Sequence, residues 1–162
     1  MTDDVQQQLK SQAFFNYSVV LPEMEEAEKE VLIIGNFIIE NISQETLHTP
    51  VICIRLKPAE SGKLGGKIEG TLRNEMIVDA SNSMEWQHLN SERKERVKQS
   101  GEYWLKPIDC EELASGDKLF FSNFDLTLKK PAEKNSVIIE GFVYFNELRQ
   151  GVGALNKIII NF

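Results

Sequence analysis

Trp86, His88, Tyr103 and Trp104 bring both tryptophans of this chain into one short stretch. Flat rings grouped this way, with an indole N–H and an imidazole at hand, can stack on a sugar, a base or a partner's side chain and fix it by hydrogen bonds. The same four residues can instead serve as core rings that pin a chain excursion to the body of the fold. Between the two aromatic pairs lies SERKERVKQS, residues 91–100, which reads as a helix. Ser91 is placed to cap it, Glu92 sits near its positive end, Lys98 near its negative end, and Gly101 is placed to stop it. Only Val97 in it is apolar, so it belongs on the surface. Arg93, Lys94, Arg96 and Lys98 outnumber Glu92 and Glu95, giving a net-positive patch that suits an acidic partner or simply keeps a loop helix in water.

Other chemistry-bearing residues do not form sites. His48 and His88 have no companion at metal-ligand or triad spacing. Cys53 and Cys110 form no C-x-x-C and fit a reducing compartment as idle or buried thiols. The acidic run at residues 23–30, EMEEAEKE, would attract a cation or a basic partner, but it lacks the alternating Asp and central Gly of a calcium loop. It reads as a solvated loop. Gly62, Gly65, Gly66 and Gly70 stand among lysines, yet Lys67 is followed by Ile68, so no phosphate-binding G-x-x-x-x-G-K-[ST] is formed. A flexible hairpin with a short strand near residues 67–72 is expected there. Glu85, Glu102 and Asp109 would be catalytic only in a cleft that raises one carboxylate's pKa, and no sequence feature calls for such a cleft. No catalytic residue, metal or cofactor is therefore expected.

Charge and hydropathy narrow the partners. Twenty-five acids against 18 basic residues leave a net charge of −7, which argues against a duplex nucleic acid. The opening MTDDVQQQLKSQ is too polar and acidic for a secretory leader, and no apolar run approaches the ~18 residues of a membrane span. The expectation is a cytoplasmic chain without a membrane partner.

The elements that must carry these residues are mostly strands. In residues 31–40, Val31, Ile33, Phe37 and Ile39 share one face of an extended chain, with Leu32, Ile34 and Ile38 on the other. Turn-forming Asn41, Ser43, Gln44, Glu45 and Thr46 interrupt the run. After Pro50, Ile52, Ile54 and Leu56 alternate with Val51, Cys53, Arg55 and Lys57. Further strands are expected at residues 15–21, 76–80, 104–108, 118–129, 137–145 and 155–162, with a glycine hairpin at 148–153. An N-terminal helix capped by Asp4, with Val5, Leu9 and Ala13 repeating, precedes them. Residues 1–14 then form a helical or flexible arm, and residues 15–162 one domain. The fold class is mainly β: an antiparallel sandwich of about eight or nine strands with one short surface helix.

The run Gly35-Asn36-Phe37-Ile38-Ile39-Glu40-Asn41-Ile42-Ser43, then Glu45-Thr46-Leu47 and Pro50-Val51-Ile52-Cys53-Ile54-Arg55-Leu56, resembles the opening of bacterial immunoglobulin-like modules of the FxLyD and CARDB kinds. Leu113-Ala114-Ser115-Gly116-Asp117, followed by Phe120 and Phe124, resembles a late step of the same domains. The resemblance covers about a third of the chain and implies an immunoglobulin-like sandwich with no catalytic residue. The excursion from Trp86 to Gly101 has no counterpart in such modules. Together these features lead to the expectation of a non-enzymatic protein–protein interaction or assembly module that pairs with a protein partner or with itself. The alternative is a small-ligand or carbohydrate binder built on Trp86, Tyr103 and Trp104.

Overall fold

A computed structural model of the chain describes residues 9–23, 30–69, 85–89 and 93–162, with the side chains of residues 93–96 outside that description. Alternation of apolar and polar residues gives strands β1 (Ser11–Val20), β2 (Glu30–Asn41), β3 (Leu47–His48), β4 (Val51–Lys57), β5 (Gly62–Gly65), β6 (Trp86–His88), β7 (Glu102–Pro107), β8 (Glu112–Leu113), β9 (Lys118–Lys129), β10 (Ser136–Phe145), β11 (Leu148–Gly153) and β12 (Ile158–Asn161). Helix α1 (Arg93–Ser100) lies between β6 and β7. Ten of these strands build the two sheets of the sandwich, against the eight or nine expected.

They form two antiparallel sheets. The first has the order β1-β2-β9-β5; the second has the order β11-β10-β4-β7-β6, with β12 joining β11 on the same side of β10. A two-stranded ribbon, β3-β8, stands apart. The inner faces meet in one buried cluster. Phe15, Ile33, Phe37, Phe121, Phe124 and Leu126 come from the first sheet, and Ile52, Ile54, Leu105, Ile139 and Val143 from the second. The molecule is thus a β-sandwich, with a core rich in aromatic pairs. Phe15 lies 4.8 Å from Phe37 and meets Phe124 edge-on at 6.1 Å, and Phe121 stacks on Phe124 at 5.6 Å. These rings leave so little room that a Cβ on Gly141 of β10 would collide with Phe15 and Phe37.

Both Phe121 and Phe124 reach the core, although simple alternation would send one of them outward. A bulge makes this work: Gly35 faces Phe124 while Phe37 faces Phe121, which inserts an extra residue into β9. Asn123 takes the left-handed conformation there, φ 54°, and its N–H donates to Asn36 Oδ1 at 2.9 Å.

Several boundaries differ from expectation. β1 begins at Ser11, so Ala13 is a buried strand residue; the rest of the expected N-terminal helix, from Asp4 to Gln8, lies outside the described residues. The glycine stretch forms β5, on the edge beside β9, while Ile68 makes only an isolated bridge to Trp86. The strand expected at residues 76–80 lies outside the described residues, as do Ser91 and Glu92. Gly101 ends α1 as expected: its N–H donates to the Val97 carbonyl at 2.9 Å with φ +70°.

Candidate functional site

The aromatic group expected from the sequence is divided by strand geometry. Trp86 and Tyr103 are core residues, 1 % and 7 % exposed. The Trp86 indole meets Phe121 at 5.4 Å and donates to the Phe120 carbonyl at 3.3 Å, and the Tyr103 hydroxyl accepts the Leu64 N–H at 3.3 Å, tying one sheet to the other. Burial raises the Tyr103 pKa, with the Leu64 bond opposing it. His88 is half-buried in β6 opposite Leu105. Trp104 follows Tyr103 directly in β7, so it must point the other way, and it lies half-buried on the outer face. The expected four-residue binding cluster is thus corrected to one outward ring. Of the basic patch, Lys98 is exposed on α1; the side chains of Arg93, Lys94 and Arg96 lie outside the described residues.

Two outer faces offer surfaces instead. On the second sheet Trp104 meets Tyr144 of β10 at 5.1 Å, and its Nε1 donates to Glu102 at 3.0 Å. Next to them the Arg55 guanidinium lies 4.9 Å over the Phe142 ring. Glu140 gathers Arg55 at 3.0 Å, Lys57 at 3.0 Å and Lys157 at 3.4 Å. Burial works to raise the Glu140 pKa, but hydrogen bonds from Lys57 and Arg55 outweigh it and hold the carboxyl below its ordinary value. Charge here is largely paired within the chain.

The outer face of the first sheet is different. The strand register aligns Phe14 of β1, Ile38 of β2 and Phe120 of β9 in one cross-strand row, with Ile34, Leu32 and Val20 farther along. Phe120 is 47 % exposed, and Ile34 and Val20 are comparably open. The sequence signal was visible, since β2 is apolar on both faces; among the described residues no further layer lies on this one. What the sequence could not supply was the register that puts Phe14 and Phe120 on either side of Ile38.

A third feature is a cleft of about 890 Å³ at one end of the sandwich, lined by His48, Thr49, Lys106, Asp109, Cys110 and Glu112 among others. His48 Nδ1 lies 2.8 Å from Glu147, whose other oxygen accepts the His48 N–H at 2.8 Å, and His48 Nε2 lies 3.5 Å from Glu112. The Glu147 bond raises the His48 pKa. Cys110 shares the cleft, but burial pushes its thiol up, which keeps thiolate scarce and weakens it as a nucleophile. Cys53 and Cys110 form no disulfide. Of the three scattered carboxylates, Glu102 pairs with Arg55 at 3.8 Å, Glu85 with Lys67 at 3.4 Å, and Asp109 lines the cleft. Among the described residues no group of His, Cys, Asp and Glu is placed to hold a metal ion, and no helix is long and apolar enough to cross a membrane.

A scan against known protein families finds no match, and no curated protein matches the chain. Among solved structures, the X-ray structure of Northeast Structural Genomics Consortium target SoR45 is similar with a TM-score of 0.39 and 9 % identity, over 98 % of this chain and 89 % of that one. A likeness of that size carries no argument about fold or function.

Proposed function

We propose that this chain is a non-enzymatic interaction module that binds a protein partner through the outer face of the β1-β2-β9-β5 sheet. The observation that carries this reading is the apolar row Phe14–Ile38–Phe120, with Ile34 and Val20 beyond the polar Asn16–Asn36 pair, on a sheet whose other face already packs the core. Open apolar side chains grouped over neighbouring strands gain free energy when a second surface covers them, and a flat face of this kind suits a protein better than a small molecule. The immunoglobulin-like resemblance agrees, since such modules work as binding units. A cytoplasmic location fits the two unlinked cysteines.

The test is affinity purification of the tagged chain from its native source, beside a Phe120→Glu variant. The wild type should retain a stoichiometric protein, and the variant should lose it while its unfolding free energy moves by no more than about 0.5 kcal/mol, as for an exposed site. An unchanged set of co-purifying proteins would sink the reading.

A second reading is favoured by one observation, the half-exposed Trp104–Tyr144 pair beside Arg55 and Phe142, which offers a platform for a sugar or another flat ligand. Quenching of Trp104 fluorescence by a panel of sugars, lost in Trp104→Phe and independent of buried Trp86, is the result that reading requires.

A further inference from the structure

The edges of the two sheets are unequal. Edge strand β5 is four residues long and carries exposed Lys63; β6, at one edge of the second sheet, is only three residues long. Short strands and lysines are the usual protection of an edge against pairing with another chain. β1 has neither. It runs for ten residues, SQAFFNYSVV, without a single charge, and uncharged Leu21 and Pro22 follow it.

Backbone groups along a strand alternate between its two sides. On β1 the outward set is identified by its bonds to the loop between β11 and β12. The Ala13 carbonyl accepts from the Leu155 N–H at 2.8 Å, the Phe15 N–H donates to Asn156 Oδ1 at 2.8 Å, and the Phe15 carbonyl accepts from Asn156 Nδ2 at 2.9 Å. The Asn156 amide therefore stands in for one residue of a neighbouring strand. By the same alternation Tyr17 and Val19 also turn their N–H and C=O outward, and among the described residues no hydrogen bond takes these groups up; Leu21, just past the strand and favoured as extended backbone by Pro22, is placed to do the same. Their side chains are open as well, Leu21 to 71 %.

Resting on the interaction reading above, we infer that this edge is where two copies of the chain pair, β1 against β1, antiparallel about a two-fold axis at Val19. In that register Tyr17 faces Leu21 of the second copy, Val19 faces Val19 of the second copy, and each facing pair exchanges both of its backbone hydrogen bonds. The contact is self-complementary in shape and charge: a tyrosine covers a leucine, valine meets valine, and no charge meets its like. It is also isologous, so it closes at two copies and cannot grow into a fibre. The chain carries a net charge of −7, so two copies repel at long range, and salt should strengthen their pairing by screening that repulsion. A basic peptide on the same edge would respond to salt in the opposite sense.

The experiment is light scattering across a range of protein and salt concentrations, with hydrogen exchange of individual amides on the purified chain. A dimer that tightens with salt, in which the Tyr17, Val19 and Leu21 amides are protected only when dimeric, is the expected result. Val19→Pro should weaken dimerisation by at least about tenfold, since it removes an outward N–H and spares the bonds to β2. Val19→Lys, which sets like charges at the axis, should do the same should the proline variant fold poorly. A wild type that stays monomeric overturns the inference, as does protection of those amides in the monomer, which would mean that the chain covers its own edge. A dimer broken by Phe120→Glu but not by either Val19 variant also overturns it, while leaving the sheet face as the interaction surface.

Discussion

At the scale of single residues, buried Asn41 uses both ends of its side-chain amide. Its Nδ2 donates to the carbonyls of Glu45 and Leu113, both at 2.8 Å, and its Oδ1 accepts the Ser43 N–H at 2.9 Å and the Ser43 hydroxyl. It thereby joins the end of β2 to the turn after it and to β8. Asn41→Leu leaves several of those groups buried without partners and should cost about 2–4 kcal/mol in chemical denaturation. The sequence marked Asn41 as a turn residue, but its partner at Leu113 is too distant in the chain for spacing to reveal. His48 and Glu147 are likewise far apart in sequence, which is why the cleft was not foreseen. Their link predicts a pH window. The His48 pKa is raised from its ordinary 6.5, so its contribution is full below that value and is lost as pH rises through the raised pKa. The Glu147 pKa is lowered from its ordinary 4.5: burial pushes it up, but the bonds from the His48 ring and backbone prevail, so its contribution is full above 4.5 and lost as pH falls through the lowered pKa. Melting temperatures of wild type and Glu147→Gln should therefore differ most between about pH 4.5 and 6.5 and converge on either side.

At the scale of elements, period-two patterning carried most of the fold. β2, β4 and β10 lie close to where alternation put them, because each turns an unbroken apolar face to the core, and β9 does so on either side of its bulge. It failed where a strand is short or built of small residues: β5 holds glycine at both ends and has only Leu64 to anchor it, and β6 is three residues long. The candidate site was only partly legible for a related reason. Tyr103 and Trp104 looked like neighbours, but adjacency in a strand means opposite faces. The link between α1 and β7 rests on Gly101, whose φ of +70° strains any L residue and whose Cβ would run into the Leu56 carbonyl. Gly101→Ala should cost about 1–3 kcal/mol in thermal unfolding, well beyond the effect of an exposed helix substitution.

At the scale of the whole molecule, the described residues form two sheets that share one core and leave open two outer faces, their edges and the cleft at one end. Paired charges blunt one face, and an apolar row dominates the other. The crossing loop that holds Asn156 adds a consequence of its own. Because that amide occupies the strand-like position beside Phe15, a segment laid along β1 would advance only as far as Tyr17, so in the pairing inferred above one carboxamide would act as a ruler. Replacing it with alanine would free the Phe15 N–H and C=O and permit a longer, sliding overlap, trading a complex of fixed geometry for a family of shifted ones.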